Sequence, residues 1–178
     1  MSEDRAHGFA PLLGATPRVL LLGSLPSETS IARGEYYGHA RNAFWPIVAA
    51  LLDFDADAPY AERVAAVTAA GLAVWDVLAT ARRPGSLDAA IETATEQAND
   101  IAALFRRQPT LGSVLLNGGK AETLFLRHVV RRQGLDVPRL RLPSTSPAHA
   151  AMRFAEKLTH WRDAFAAAGL LARAESRE

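Results

Sequence analysis

Four short apolar runs divide the chain, and each is almost continuous instead of alternating with polar residues. They occupy residues 18–24, 72–78, 113–117 and 139–143. Continuous apolar runs are typical of strands in a parallel sheet whose two faces are both covered by helices. The pattern therefore predicts four buried parallel strands.

Helical patterns alternate with these strands, at residues 43–52, 59–70, 95–107, 120–133 and 147–168. This alternation predicts an α/β fold, a single three-layer α/β/α domain with a central four-stranded parallel sheet. We expect the domain to span residues 17–168. A flexible N-terminal segment, residues 1–16, precedes it, and a frayed tail, residues 169–178, follows it.

Composition limits the class of protein. With 178 residues, 49% of them hydrophobic, the chain is long enough for one domain with a sizeable core. We see no run long enough to span a membrane and no signal peptide, so we expect a cytoplasmic protein without a membrane partner. We separately expect a monomer. Cysteine is absent and the five histidines lack metal-ligand spacing, so we expect no metal and no cofactor.

The formal net charge is only +1, from 20 Lys and Arg against 19 Asp and Glu. Of the cationic residues, only Lys120 and Lys157 are lysines. Arginine suits bidentate phosphate contacts, but the alanine-rich composition fits a coding bias equally well. Charge alone leaves both interpretations open.

In open α/β sheets, ligands bind beyond the carboxyl ends of the strands. The segments to inspect are therefore residues 23–45, 76–88, 117–120 and 142–149. Common motifs fail there: residues 23–27 lack the later glycines of a dinucleotide fingerprint, and Gly119-Lys120 lacks the rest of a phosphate-binding loop. Ser24 is not in a nucleophile elbow.

The segment after the first strand is long and rich in polar and aromatic residues, among them Tyr36, Tyr37, His39, Arg41 and Asn42. Long structured loops at this edge of a sheet are usually functional. A buried loop asparagine needs several hydrogen bonds, and such residues commonly form sites. The next two aromatic residues, Phe44 and Trp45, are at a spacing that favours core packing.

This segment resembles the first motif of the mismatch-specific uracil/thymine DNA glycosylases. The matching positions are Gly23, Pro26, Ser30, Gly34, Tyr37, His39, Asn42, Phe44 and Trp45. Residues 142–149, LPSTSPAH, resemble the second motif of the uracil-DNA glycosylase superfamily, in particular of its deoxyinosine (hypoxanthine) branch. Shorter matches to that branch lie at residues 75–78, 85–88 and 117–118, so the resemblance covers roughly residues 17–165.

Two positions depart from the family pattern. Leu25 stands where the mismatch-specific enzymes carry a catalytic asparagine, and leucine cannot position water. The deoxyinosine branch also lacks that asparagine, and there the later one, here Asn42, is taken as catalytic. Ala40 occupies a position where proline is common.

The resemblance implies an enzyme, a monofunctional DNA glycosylase of base-excision repair. Its partner would be double- or single-stranded DNA carrying a deaminated base, with hypoxanthine first and uracil second. The expected catalytic residues are Asn42 and His149, the latter as a donor to the departing base or as a surface histidine near a phosphate. The expected base-binding residues are Tyr37, as the stacking aromatic, with Gly23, Ser24, Leu25, Phe44 and Asn117.

Further residues are candidates for holding DNA. Ser144, Thr145 and Ser146 could bind phosphates at a helix N-terminus, or act as ordinary helix caps. The other candidates, Arg41, Arg82 and Arg83, could form a basic rim or be solvated surface arginines. Asp76 is interpreted as ordering the loops and Asp88 as a residue at a helix N-terminus.

Two other classes of protein stay open. Leu25 makes a non-catalytic damaged-DNA-binding protein conceivable. An unrelated α/β hydrolase or nucleotide enzyme using Ser24 or Ser144 is the weakest alternative, because the elbow and phosphate-loop motifs fail.

Overall fold

The computed structural model describes residues 5–171. Its strands are β1 (Arg5–His7), β2 (Val19–Gly23), β3 (Leu72–Asp76), β4 (Leu78–Arg82), β5 (Gln97–Ala98), β6 (Ser113–Asn117) and β7 (Arg139–Leu142). Its helices are α1 (Glu28–Arg33), α2 (Phe44–Leu52), α3 (Tyr60–Ala69), α4 (Ile101–Arg107), α5 (Gly119–Leu124, continued as a π-helical segment, Phe125–Gln133) and α6 (Phe154–Ala167). Two 3-10 turns, Asp88–Ala90 and Thr93–Thr95, lie between β4 and β5.

The four apolar runs form one sheet in the order β3-β2-β6-β7, and every neighbouring pair is parallel. Each residue of β2 and β3 is buried, as a sheet covered on both faces requires. The predicted three-layer α/β/α domain with a central four-stranded parallel sheet is confirmed. Its register aligns Gly23 with Asp76, so that the carboxyl ends of β2 and β3 meet at one edge.

A second, antiparallel sheet of order β1-β4-β5 was not predicted. Arg5–His7 pairs with β4, and Leu12 forms a bridge with Val74. The structure therefore differs from the expected flexible segment over residues 5–12. The pairing left no signal in the sequence because it depends on backbone hydrogen bonds of very short strands, whereas the hydrophobic pattern reports only burial.

Two predicted helices begin later than their patterns indicated. Helix α4 starts at Ile101, where the Asp100 side chain accepts a hydrogen bond from the Ala103 N–H at 2.8 Å. Helix α6 starts at Phe154, and residues 147–153 form turns instead of its first turns. The expected frayed tail, residues 169–178, falls mostly outside the described residues, and Leu170 within it is buried.

The core lies between the sheet and its helices. Its largest fully buried side chains are aromatic, namely Trp161, Phe44, Phe125 and Phe165. Each such side chain contributes roughly 1.5–3 kcal/mol through removal of apolar surface from water. Trp161 also donates from its indole N–H to the Pro143 carbonyl at 3.0 Å, which fixes α6 against the end of β7.

Over residues 5–171, none of the helices combines the length and the apolar character needed to cross a bilayer.

A buried ionic cluster ties the segment after β4 to the π-helical segment. The Glu96 side chain is 1% exposed, and its Oε2 atom lies 2.7 Å from both Arg127 Nη1 and His128 Nε2. The two hydrogen bonds to these partners lower the pKa of Glu96, although burial opposes them. Removal of one partner would leave buried polar groups unsatisfied, so the cluster resists opening. It therefore holds the end of the loop that carries Asp88 against the π-helical segment.

Glu96→Gln should lower the free energy of unfolding by about 1–3 kcal/mol at neutral pH, measured by chemical denaturation. Since the folded-state pKa of Glu96 is lowered, its contribution is complete above the usual pKa of 4.5 and is lost as the pH falls through the folded value. The difference between wild type and variant should shrink accordingly in acid. The control, Glu92→Gln, removes a half-exposed partner of Arg82 and should change stability little. An equal effect of both variants would contradict this account.

Candidate active site

A cavity of about 290 Å³ lies at the carboxyl ends of the parallel strands. It is built from the segments after β2, β4 and β7, the last residues of β3 and β6, and the start of α5. The predicted site residues that line it are Gly23, Ser24, Leu25, Tyr37, Asn42, Asn117, Ser144, Thr145, Ser146 and His149. Other lining residues include Asp76, Leu87, Asp88 and Lys120. Tyr37 and Asn42, from one loop, therefore face the same space.

Tyr37 has a backbone conformation that is rare for a side-chain-bearing residue, with φ of +53°. Such left-handed residues cost about 1–3 kcal/mol each and concentrate at functional sites. The Tyr37 ring stacks on Phe44, with centroids 4.1 Å apart and planes at 28°. Phe44 itself is 0% exposed and does not line the cavity. The prediction that Phe44 binds the base was therefore wrong, because this ring supports Tyr37 from inside the core.

Hydrogen bonds on both sides of Tyr37 hold its strained backbone. The Gly38 N–H donates to Ser30 Oγ at 3.0 Å, and Ser30 is itself buried. On the other side, the Tyr36 N–H donates to the Tyr60 hydroxyl at 3.0 Å. The Tyr36 carbonyl accepts from the Trp45 indole at 2.8 Å. Two of the family-motif residues, Ser30 and Trp45, thus act by shaping this loop.

Asn42 lines the cavity and has one half of its amide fixed. Its Oδ1 atom accepts a hydrogen bond from the Phe44 N–H at 2.9 Å, at the start of α2. Oxygen atoms of Asn side chains commonly satisfy such orphan N–H groups. The Nδ2 group is then left as a donor in a fixed direction, within a cavity that Asn42 lines.

Thr145 joins the two loops that carry the family motifs. Its N–H donates to Asn117 Oδ1 and its Oγ1 accepts from Asn117 Nδ2, both at 3.0 Å. Its carbonyl accepts from the Ala43 N–H at 3.0 Å. Thr145 is 1% exposed. The prediction that Thr145 contacts DNA was therefore wrong, because its polar groups are engaged within the protein.

The rest of the second motif forms consecutive turns. The Ser146 N–H donates to Ser144 Oγ and the Ala148 N–H donates to Ser146 Oγ, both at 3.2 Å. No helix starts here, so a phosphate site at a helix N-terminus is not formed within these described residues. His149 is exposed at the rim, and its carbonyl accepts from Lys157 Nζ at 2.8 Å. Both serines and His149 line the cavity.

Arg83 is buried inside the protein, with 3% of its surface exposed. Its guanidinium donates to the Gly85 carbonyl at 2.8 Å and to the Pro26 carbonyl at 2.6 Å. The prediction of a DNA contact by Arg83 was wrong, since its guanidinium joins two loops beside the cavity through hydrogen bonds. Arg82 and Arg41 are exposed but do not line the cavity; Arg82 lies 3.6 Å from Glu92.

Two carboxyl groups face the cavity on the side of β3. Ser24 Oγ donates to Asp88 Oδ1 at 2.6 Å, and burial raises the pKa of Asp88. Asp76, at the end of β3, is 4% exposed, and its Oδ2 atom has no hydrogen-bond partner among residues 5–171. Burial, and after it the charge of Asp88, raises the pKa of Asp76 to about 7.

From the sequence, Asp76 and Asp88 were expected to have structural roles, and Lys120 and Leu87 were not expected at a site. The available signal was an aspartate at the end of a buried strand, where ligands bind in α/β sheets. Leu87 is among the most exposed large apolar side chains of the described residues, and it stands at the cavity. Across residues 5–171, no three carboxylate or imidazole side chains come together as a set that could hold a metal ion.

Thr145→Val should lower the free energy of unfolding by about 1–3 kcal/mol, because it leaves Asn117 Nδ2 without its acceptor. Thr145→Ser keeps the hydroxyl and is the matched control, with a smaller loss. Urea denaturation measures both. If Thr145→Val is as stable as wild type, this hydroxyl does not stabilise the fold, and the predicted DNA contact becomes its alternative role.

Comparison with known proteins agrees with this geometry. The family model of the uracil DNA glycosylase superfamily matches residues 10–168. A hypoxanthine DNA glycosylase of Methanosarcina barkeri is 28% identical over 162 residues, 90% of this chain and 98% of the relative. One of Methanosarcina acetivorans is 34% identical over 116 residues, 65% of this chain and 72% of the relative.

A solved structure is similar as well. The solution NMR structure of a Methanosarcina acetivorans protein, described as a candidate uracil DNA glycosylase, has a TM-score of 0.74 at 29% identity. The match covers 89% of this chain and 98% of the other. The family match, the shared fold and the cavity formed by both motifs lead to one conclusion: the chain belongs to the uracil DNA glycosylase superfamily.

Proposed function

We propose that this chain is a DNA glycosylase that extrudes hypoxanthine from DNA and hydrolyses its N-glycosidic bond. The product is an abasic site, as base-excision repair requires. Two similar proteins are named hypoxanthine DNA glycosylases, and one of them matches nearly the full length of this chain. The partner that we propose for this chain is double- or single-stranded DNA that contains a deaminated base.

The observation that carries the proposal is the position of Tyr37 and Asn42 in one cavity at the sheet edge. An enzyme that acts on a base in a duplex must extrude the nucleotide, which costs roughly a few kcal/mol. Stacking of the extruded base on an aromatic ring offsets this cost by about 1–3 kcal/mol. Because Phe44 supports the Tyr37 ring from behind, this stacking surface is formed before DNA binds.

Asn42 is suited to act on the extruded nucleotide. Its Nδ2 group is a directed donor, since Oδ1 is held by the Phe44 N–H. We assign this donor to the base edge or to the attacking water. Leu25 lines the cavity, so this position supplies an apolar wall in place of an amide.

Bond breaking leaves the electron pair of the C1′–N bond on the base, while the sugar becomes oxocarbenium-like. Water then adds its oxygen to C1′, and the proton it releases ends on the departed base. Donors directed at the base lower this barrier, by about 3–4 kcal/mol for a well-placed group. His149, exposed at the rim, is the further donor or phosphate contact that we propose.

Uracil is the second candidate substrate, because it shares with hypoxanthine an N–H next to a carbonyl. A non-catalytic damaged-DNA-binding protein is the alternative that Leu25 motivates. It would bind the lesion in the same cavity and leave the glycosidic bond intact. We further propose a monomer that acts in the cytoplasm.

A panel of oligonucleotides tests the proposal. Duplex and single strands that each carry one hypoxanthine, uracil, xanthine or mismatched thymine are incubated with the protein and then cleaved with alkali at abasic sites. We expect cleavage at deoxyinosine first. Free base in the supernatant, identified by mass, separates hydrolysis from strand scission. Folded protein that binds these strands yet releases no base from any of them would favour the damage-binding alternative.

Asn42→Ala should lower single-turnover base release about a hundredfold or more, as for other preorganised donors. It also removes the acceptor for the Phe44 N–H, at a cost of about 1 kcal/mol in stability. Asn42→Asp is the matched variant, because it keeps that acceptor and replaces the Nδ2 donor with a charged carboxylate oxygen. We expect Asn42→Asp to fold like wild type and to be as inactive as Asn42→Ala. Near-wild-type turnover of either variant would remove Asn42 from the mechanism.

A further inference from the structure

Asp76 is a buried carboxyl group that the mechanism above does not use. Its side chain lines the cavity, and Oδ2 has no hydrogen-bond partner among the described residues. A buried polar group without a partner is costly, and a buried unpaired carboxylate even more so. Burial of Oδ2 without a partner is therefore less costly for a neutral carboxylic acid than for a carboxylate.

A second unpartnered group lies beside it. The Tyr37 hydroxyl is also buried, and it makes no hydrogen bond of good geometry in residues 5–171; Asn117, whose amide bonds Thr145, lies near enough to lower its pKa slightly. A Cβ atom added to Gly23 would stand 2.5 Å from Asp76 Oδ1 and 3.1 Å from the Tyr37 hydroxyl. Both oxygens therefore lie on the same side of Gly23, and only a glycine leaves room for them. Together they form a polar patch at the ring on which the base would stack.

The charges around Asp76 favour its protonated form. Burial raises the pKa of Asp76 to about 7, and the negative charge of Asp88 adds to this effect. Arg83 opposes them but is the weaker influence, as its guanidinium is engaged with loop carbonyls. Tyr36 and Tyr37 face the same carboxyl, and burial raises the pKa of both phenols, so they add no charge.

We propose that Asp76 acts as a neutral carboxylic acid that donates a hydrogen bond to the carbonyl oxygen of the extruded base. The inference rests on the proposed glycosylase function. Hypoxanthine and uracil both carry a carbonyl next to an N–H, and a carboxylic acid offers a donor next to an acceptor. A protonated Asp76 in the cavity wall can thus donate to the carbonyl of either base.

The protonation state decides whether Asp76 assists or opposes the reaction. As the C1′–N bond breaks, its electron pair passes to the base and negative charge grows on the carbonyl oxygen. A neutral acid stabilises that oxygen, whereas an ionised carboxylate at the same place repels it. The proton of Asp76 stays on Asp76, and the proton from water is the one that the base finally takes.

The pH dependence of single-turnover hypoxanthine release tests this assignment. Wild-type activity should be level in weak acid and fall about tenfold per pH unit above the pKa of Asp76. Asp76→Asn keeps a donor next to an acceptor, so it should lose this fall and react less than about tenfold more slowly in weak acid. Asp76→Leu, which has neither, should be about a hundredfold slower throughout. Asp57→Asn, at an exposed site, is the control with the wild-type profile.

Asp88→Asn provides an independent readout. It keeps an acceptor for Ser24 and removes the charge that raises the pKa of Asp76. The fall in activity should therefore move to lower pH, and a ¹³C NMR titration of the Asp76 carboxyl should show the same shift. A purely structural role for Asp76 would not produce this shift.

The contrary outcomes are distinct. Activity that rises through neutral pH and disappears in Asp76→Asn would make Asp76 a general base and overturn the inference, leaving the glycosylase function intact. A carboxyl found fully ionised in weak acid would overturn it as well. If wild type releases no base from any strand of the panel, the proposed function itself fails, and the inference with it.

Discussion

The hydrogen bonds of Thr145 are the interaction on which the cavity depends. Asn117, at the end of β6, holds the Thr145 backbone and hydroxyl together, and the Thr145 carbonyl in turn holds Ala43 at the start of α2. One buried residue therefore sets the distance between the loop after β2 and the loop after β7. Because the sheet is parallel, these loops leave from the same edge, and a few hydrogen bonds suffice to close them around a common space.

Charged side chains of this protein form contacts in the interior as well as at the surface. Arg83 links the turn after β2 to the turn after β4, and the cluster at Glu96 links the following loop to the π-helical segment. Both are buried, so their effect on loop geometry is greater than that of exposed ion pairs. Asp76 and Asp88 line the cavity, and the pKa values of both carboxyl groups are raised. The cavity thus combines loops that are joined by buried polar contacts with carboxyl groups whose ionised form is disfavoured by burial.

The sequence predicted the apolar strands and the motif loops, and it missed the pairing of short strands and the burial of polar residues. Continuous apolar runs identified the four parallel strands, and the two motifs identified the loops that form the cavity. The pairing of Arg5–His7 with β4 gave no signal, since it rests on backbone groups that every residue has. Burial of Arg83 and Thr145 was equally hidden, because an arginine or a threonine after a strand is usually exposed. The helix pattern began too early at residue 147, where serine side chains satisfy the backbone in turns instead.

The left-handed backbone of Tyr37 extends the functional unit beyond the walls of the cavity. The ring is held in place by Ser30, Trp45 and Tyr60, which bond the peptide groups on either side of it. Trp45 and Tyr60 do not line the cavity. A relative in which these supports differ could keep every residue of the wall and still present its aromatic surface at another angle. Divergence in lesion preference within this superfamily can therefore arise in the interior, one layer behind the residues that meet the base.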